Sequence, residues 1–226
     1  MSKILCIETS AKNCSVAIFK ESECIGIKEE SSDQYIHSGS LHPFILEVMT
    51  QAKMDFFELD AVAVSKGPGS YTGLRIGIAA AKGIAYALNI PLIAIDTLQM
   101  LAIHVGGINS DFEVYVPMID ARRMEVYTNS YDRNGKALEE VRPEILGPDF
   151  LQQHIGKRIL CFGDGSAKLK DTKNPNTFFL DGLFPSASQM IEIAHKKFMG
   201  QEFEDIAYFE PSYLKEFLPG PKVARN

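Results

Sequence analysis

The chain has 226 residues, 46% hydrophobic and 23% charged, with a formal net charge of −6. That length and balance suit one large domain or two small ones with a real core, and the acidic excess argues against a free-standing nucleic-acid binder with a broad basic footprint. The cysteines, Cys6, Cys14, Cys24 and Cys161, form no CxxC pair and lie mostly in or beside apolar runs, so buried reduced thiols are expected rather than disulfides or a zinc site.

The N-terminus leads straight into an apolar run with no signal-peptide pattern, and no apolar stretch reaches about 18 residues without a charge or turn. A soluble, cytoplasmic chain with no membrane contact is the expectation. Ile4–Ile7, Ser15–Phe19 and Cys24–Glu29 read as three short strands of an antiparallel meander. From His37 to Lys53 the residues Leu41, Ile45, Val48, Met49 and Ala52 follow a helical period.

A strand, Ala61–Val64, then runs into Lys66-Gly-Pro-Gly-Ser-Tyr-Thr-Gly-Leu-Arg75 and a helix over 72–88 built mostly of small residues. Gly67 and Gly69 permit positive φ or a close approach, Pro68 stiffens the turn, and Ser70 or Thr72 can cap the helix. Gly73, Gly77, Ala80 and Ala81 share one face with little side-chain bulk. Such a face packs on this chain's own sheet or admits a partner helix, and the pattern favours an interface that includes Leu41, Ile45, Val48, Met49, Thr72, Ile76 and Ile84. The strand Leu92–Ile95 follows, giving parallel pairing and α/β character, and Asp96-Thr97 caps a helix from Leu98 to His104.

After Gly106-Gly107 the pattern restarts. Glu113–Ile119 is a strand ending at Asp120, as Ile4–Ile7 ended at Glu8, and Met124–Tyr131 returns. Asn134-Gly135 is a type I′ hairpin signal before a third strand, Lys136–Arg142. A helix over 148–155, a strand Arg158–Phe162, the turn Gly163-Asp-Gly-Ser166 and an amphipathic helix Ser186–Met199 complete the chain. Two halves that open alike indicate a duplicated fold, with a first lobe over 1–105 completed by 206–218 and a second over 106–205.

Chemistry is sparsely marked. The loop at Gly67–Ser70 lacks the Gly-Lys-[Ser/Thr] ending of a Walker phosphate loop. Glu8-Thr9-Ser10 reads as a hairpin turn or as a phosphate-facing turn. In the segment Asp120-Ala-Arg-Arg-Met-Glu-Val-Tyr127, Asp120 with Arg122 or Arg123 can hold a phosphate or a partner's carboxylate, against the plainer reading of a solvated hairpin tip. His37, His42, His104, His154 and His195 show no metal-ligand spacing, and no GxSxG elbow is present.

The segments Ile4–Ser10, Lys66–Arg75 with the alanine-rich helix after it, Asp96-Thr-Leu98, Asp120-Ala-Arg-Arg123 and Pro211-Ser-Tyr-Leu-Lys215 resemble the TsaB family, accessory proteins of threonylcarbamoyladenosine synthesis in transfer RNA. Glu8, Met124 and Lys215 stand where that family commonly has aspartate, glycine and arginine. The resemblance implies two ribonuclease-H-like lobes of the actin-like ATPase type, with mixed sheets flanked by helices. It implies a non-catalytic activator without cofactor, paired with a TsaD-type catalytic subunit and a TsaE-type ATPase, dimeric when alone, and reaching tRNA through the complex. The catalytic subunit places two histidines on the helix after the strand matching Leu92–Ile95, where this chain has Gln99, Met100 and His104. A vestigial nucleotide cleft would comprise Glu8, Thr9, Ser10, Gly67, Gly69, Ser70, Asp120, Gly163 and Gly165. The rival readings are a nucleotide-dependent phosphotransferase or ATPase using that cleft, and a peptidase-like protein. Arg122, Arg123 and the basic tail Lys222–Arg225 leave a direct tRNA contact open.

Overall fold

The computed structural model describes residues 2–32, 37–169 and 174–215. Strands β1 (Lys3–Glu8), β2 (Asn13–Lys20) and β3 (Glu23–Ser31) form the expected antiparallel meander. Helix α1 (His37–Ala52) follows, with Pro43 inside it. Strand β4 (Ala61–Gly67), helix α2 (Tyr71–Leu88) and strand β5 (Leu92–Asp96) make a right-sized crossover unit, and the first sheet has the order β3-β2-β1-β4-β5.

Alternation along the strands decides what covers each face of that sheet. Leu5, Ile7, Val16, Ile18, Val62 and Val64 pack with α1 and α2. Ile4, Cys6, Ala17, Ala61, Ala63, Ile93 and Ile95 face the other way, against helices α3 (Thr97–Ile108) and α4 (Ile191–Met199) and against Tyr115, Ile119 and Phe162 of the second sheet. The two sheets thus share a core.

Helix caps fall where the sequence has cap residues. Ser70 accepts from Gly73 N at 3.2 Å, Asp96 accepts from Gln99 N at 3.0 Å, and Asn89 closes α2 in the left-handed conformation. Helix α3 runs through Gly106-Gly107 instead of stopping at His104, because Gly106 lies against the Arg133 carbonyl where a Cβ would collide.

The second sheet, order β10-β9-β6-β7-β8, comprises β6 (Val114–Asp120), β7 (Glu125–Thr128), β8 (Arg142–Ile145), β9 (Ile159–Phe162) and β10 (Thr177–Leu180). Four expectations change here. The third strand begins at Arg142, where the predicted one ended, because Asp132 accepts from Asn134 N and Lys136 N and folds 132–136 into a compact turn. In that turn Gly135 alone is left-handed, so it is not type I′. No α-helix spans 148–155: Leu151 sits at φ 67°, leaving a single 3-10 turn over Gln152–His154. The last helix starts at Ile191, behind a 3-10 turn that Ser186 and Gln189 cap reciprocally. The parallel edge strand β10 had no sequence signal.

Beyond α4 the chain returns to the first sheet as a strap. Glu204 bridges to Leu92, Phe209 is buried beside α2, and Ser212 N donates to the Lys66 carbonyl at 2.8 Å. Residues 216–218 and the tail Lys222–Arg225 lie outside the described residues.

Candidate functional site

The glycine loop closes onto the β1–β2 turn. Ser70 N donates to the Ser10 carbonyl at 2.6 Å, and the Thr9 hydroxyl donates to the Gly73 carbonyl at 2.8 Å. A Cβ on Gly69, Gly73 or Gly77 would collide with Ser10 or Thr9, so the bare face of α2 is filled by two residues of this chain. Gly67 needs its glycine for φ 107°, whereas Gly69 needs it for the close approach.

Glu8 belongs to the same joint. It is fully buried, and its Oε1 accepts from Ser10 N at 2.5 Å and from Ser65 Oγ at 3.0 Å. Burial pushes its carboxyl above the usual range, against the opposing pull of hydrogen bonds from Ser10, Ser65 and Thr9. Its Oε2 has no hydrogen-bond partner. A carboxylate turned inward to hold Ser10 and Ser65 does not face solvent or a phosphate.

Asp120, Gly163 and Gly165 lie elsewhere. Asp120 and Gly163 line a cleft of about 370 Å³ with Lys12, Asp164, Ser166 and Asp181. Asp120 N donates to Asp164 Oδ1 at 2.9 Å, and Lys168 is paired with Asp120. Burial raises the Asp164 carboxyl, and Asp120 adds to the rise. Gly163, at φ 99°, approaches the β6 backbone too closely for a side chain, and a Cβ on Gly165 would crowd the Val126 side chain of β7. The predicted nucleotide residues therefore split. Glu8, Thr9, Ser10, Gly67, Gly69 and Ser70 form an internal joint, while Asp120 and Gly163 border a cleft dominated by carboxylates and Gly165 packs behind it. Polyphosphate would meet three aspartates there, an unfavourable pairing without compensating cations. Among the described residues no group of three or more His, Cys, Asp or Glu side chains converges as a metal site.

The constellation nearest to a hydrolase triad is His154 with Ser130 and Glu139. His154 Nε2 lies 2.8 Å from Ser130 Oγ and 2.9 Å from Glu139 Oε1. A relay needs serine and acid on opposite ring nitrogens, and here both meet the same one. Ser130 and His154 are buried, so no substrate carbonyl has access.

The predicted pairing residues are placed unequally. Leu41, Ile45, Val48, Met49, Gly73, Gly77, Ala80 and Ala81 are buried inside this chain, Ile76 and Ile84 are half-buried, and Thr72 is exposed. The small face chosen from the sequence is an internal joint. The open side of α2 carries Thr72, Ala79, Gly83, Tyr86 and Ala87, a row at helical spacing in which Gly83 faces open space. On the neighbouring helix α1 Leu46 is 59% exposed, and Tyr86 of α2 is 79% exposed.

Two features escaped the sequence reading. Arg75 lies over the Tyr71 ring at 4.1 Å, and its Nε donates to the Tyr213 hydroxyl at 2.8 Å, tying α2 to the strap. Arg122 and Arg123 are both left-handed, at φ 70° and 51°, a conformation that costs about 1–2 kcal/mol for each non-glycine residue. Only the Pro211–Lys215 motif and the paired arginines hinted at either.

With this geometry in hand, similarity to known proteins is specific. The chain matches the family model described as "TsaD: tRNA N6-adenosine threonylcarbamoyltransferase" over residues 13–214. It is 30% identical to the Escherichia coli (strain K12) tRNA threonylcarbamoyladenosine biosynthesis protein TsaB, covering 98% of both chains, and 31% identical to that of Bacillus subtilis (strain 168), covering 94% and 93%. A structure described as YeaZ from Pseudomonas aeruginosa aligns with a TM-score of 0.79 at 26% identity, over 95% of this chain and 100% of that one. The ADPNP-bound activator of 2-hydroxyisocaproyl-CoA dehydratase from Clostridium difficile, at 8% identity and TM-score 0.51 over 90% and 98%, shares the fold alone. The fold is that of the actin-like ATPases, and the chain belongs to the TsaB family of tRNA threonylcarbamoyladenosine biosynthesis proteins.

Proposed function

We propose that this chain is a non-catalytic activator that pairs with a TsaD-type threonylcarbamoyl transferase, joined by a TsaE-type ATPase, and that it pairs with itself when alone. The carrying observation is the open row Thr72, Ala79, Gly83, Tyr86 and Ala87 on α2, together with Leu46 exposed on the neighbouring helix α1. Small residues let a second helix approach closely, and exposed aliphatic and tyrosine side chains suit the buried core of an interface. A partner with the same fold would bring the same pair of helices, and the match of this chain to the TsaD model supports a common fold. Docking then biases the catalytic subunit toward its competent arrangement and adds no reacting group.

The test mixes this chain with TsaD-type and TsaE-type subunits, tRNA and threonylcarbamoyl-adenylate, and scores modified adenosine with and without it. Product that depends on this chain, with none from it alone, supports the reading. Gly83→Arg and Ala79→Arg should abolish co-elution in gel filtration while leaving the melting temperature of the chain nearly unchanged. Undiminished product without the chain, or undisturbed pairing by both variants, overturns it.

A further inference from the structure

The four-residue connection between β6 and β7 is a poor place for arginine on conformational grounds. Arg122 and Arg123 are consecutive left-handed residues, where glycine or asparagine fits without strain. The connection is fixed at both ends: Arg122 N donates to Asp120 Oδ1 at 2.5 Å, Ala121 N to the Glu125 carbonyl at 3.1 Å, and Glu125 N to the Arg122 carbonyl at 3.2 Å. Both arginines are exposed.

The neighbouring acids are already committed. Asp120 is paired with Lys168 and Glu125 with Lys215, so neither guanidinium has a carboxylate partner among the described residues. The two guanidiniums thus carry charge that these pairs leave unbalanced, at the edge of a cleft where Lys12 shares the lining with Asp120, Asp164 and Asp181. Aromatic rings sit alongside. Tyr127 is half-buried, and burial raises its phenol while Lys215 and Arg122, within electrostatic reach, oppose the rise. Two residues before Lys215, Tyr213 lies 4.9 Å from the Tyr71 ring.

We propose that the Arg122–Arg123 turn, with Lys215 beside it, is a direct contact for the phosphodiester backbone of tRNA. Uncommitted guanidiniums suit bidentate phosphate recognition, and basic residues interleaved with aromatic rings suit a nucleic acid better than an acidic peptide. Strain retained at two successive positions fits side chains kept for binding and not for the turn. The proposal rests on the reading that the chain works on tRNA within a complex, and it adds a direct contact to that reading.

The double variant Arg122→Asn/Arg123→Gly separates the two roles. It removes the guanidiniums and replaces them with residues that accept the left-handed turn, so its melting temperature should rise by a few degrees. In the assembled complex, tRNA affinity measured by fluorescence anisotropy should fall. The slope of log affinity against log salt should shrink by about 1 for each arginine. Co-elution with the TsaD-type subunit should be unchanged. Unaltered affinity and salt slope overturn the proposal. So does intact tRNA binding with lost association of the TsaE-type ATPase, which would make the turn a contact for an acidic protein surface. Failure of the wild-type chain to pair or to support modification would instead overturn the activator reading, and those are scored before tRNA is titrated.

Discussion

The Thr9 hydroxyl donates to the Gly73 carbonyl, and a Cβ placed on Gly77 would run into that same hydroxyl. The glycines of α2 are thus spaced to receive the β1–β2 turn. Gly77→Ala should overpack the joint and cost about 1–3 kcal/mol, lowering the melting temperature by several degrees. Gly83→Ala, on the open side, should gain up to about 1 kcal/mol of helix propensity and raise it. Calorimetry on the two variants checks both signs.

A second prediction concerns Glu8. Burial raises its carboxyl, so the folded state holds the proton more tightly than the unfolded chain. That contribution is complete at low pH and is lost as pH climbs through the folded value. Glutamine has no proton to lose. The melting temperature of Glu8→Gln minus that of the wild type should therefore increase between about pH 5 and pH 8. A flat difference would show that Glu8 does not resist ionisation in the fold.

Much of this was legible in the sequence because local chemistry and tertiary context agree. The meander, the crossover at Ala61–Leu92, and the caps at Ser70 and Asp96 all follow from patterns a few residues long. The sequence missed what depends on distant contacts. A helix continues through Gly106-Gly107 because the Arg133 backbone fills the space that side chains would take. The expected helix over 148–155 fails at one backbone angle, that of Leu151. The small face of α2 offered two covers, and only the fold reveals that Thr9 and Ser10 supply the first. Periodicity identifies a face that must be covered, but not what covers it.

For the buried cluster of Ser130, His154 and Glu139, the expectation is structural. Ser130→Ala removes the hydroxyl 2.8 Å from His154 Nε2 and should cost about 1 kcal/mol. Modification of tRNA by the reconstituted complex should be unaffected. Burial lowers the His154 imidazole, so the unfolded chain takes up a proton first as pH falls. Stability tied to neutral His154 is present above the ordinary histidine value and is lost as pH falls through the lower folded one. His154→Gln should therefore flatten the acid limb of the stability–pH curve, measured by urea titration.

The strap offers the last test, because its two anchors differ in kind. Phe209 is buried at 9% exposure among α2 side chains, and Lys82 Nζ donates to the carbonyls of Ala207 and Phe209 at 3.4 and 3.1 Å. Arg75 and Tyr213 meet at the exposed surface, where a hydrogen bond contributes about 1 kcal/mol or less. Phe209→Ala should cost about 3 kcal/mol, lower the melting temperature by roughly 6–12 °C, and open 204–215 to limited proteolysis. Tyr213→Phe should do neither to a measurable degree. Equal protease sensitivity in the two variants would mean that the surface pair, and not the buried ring, holds the strap against α2.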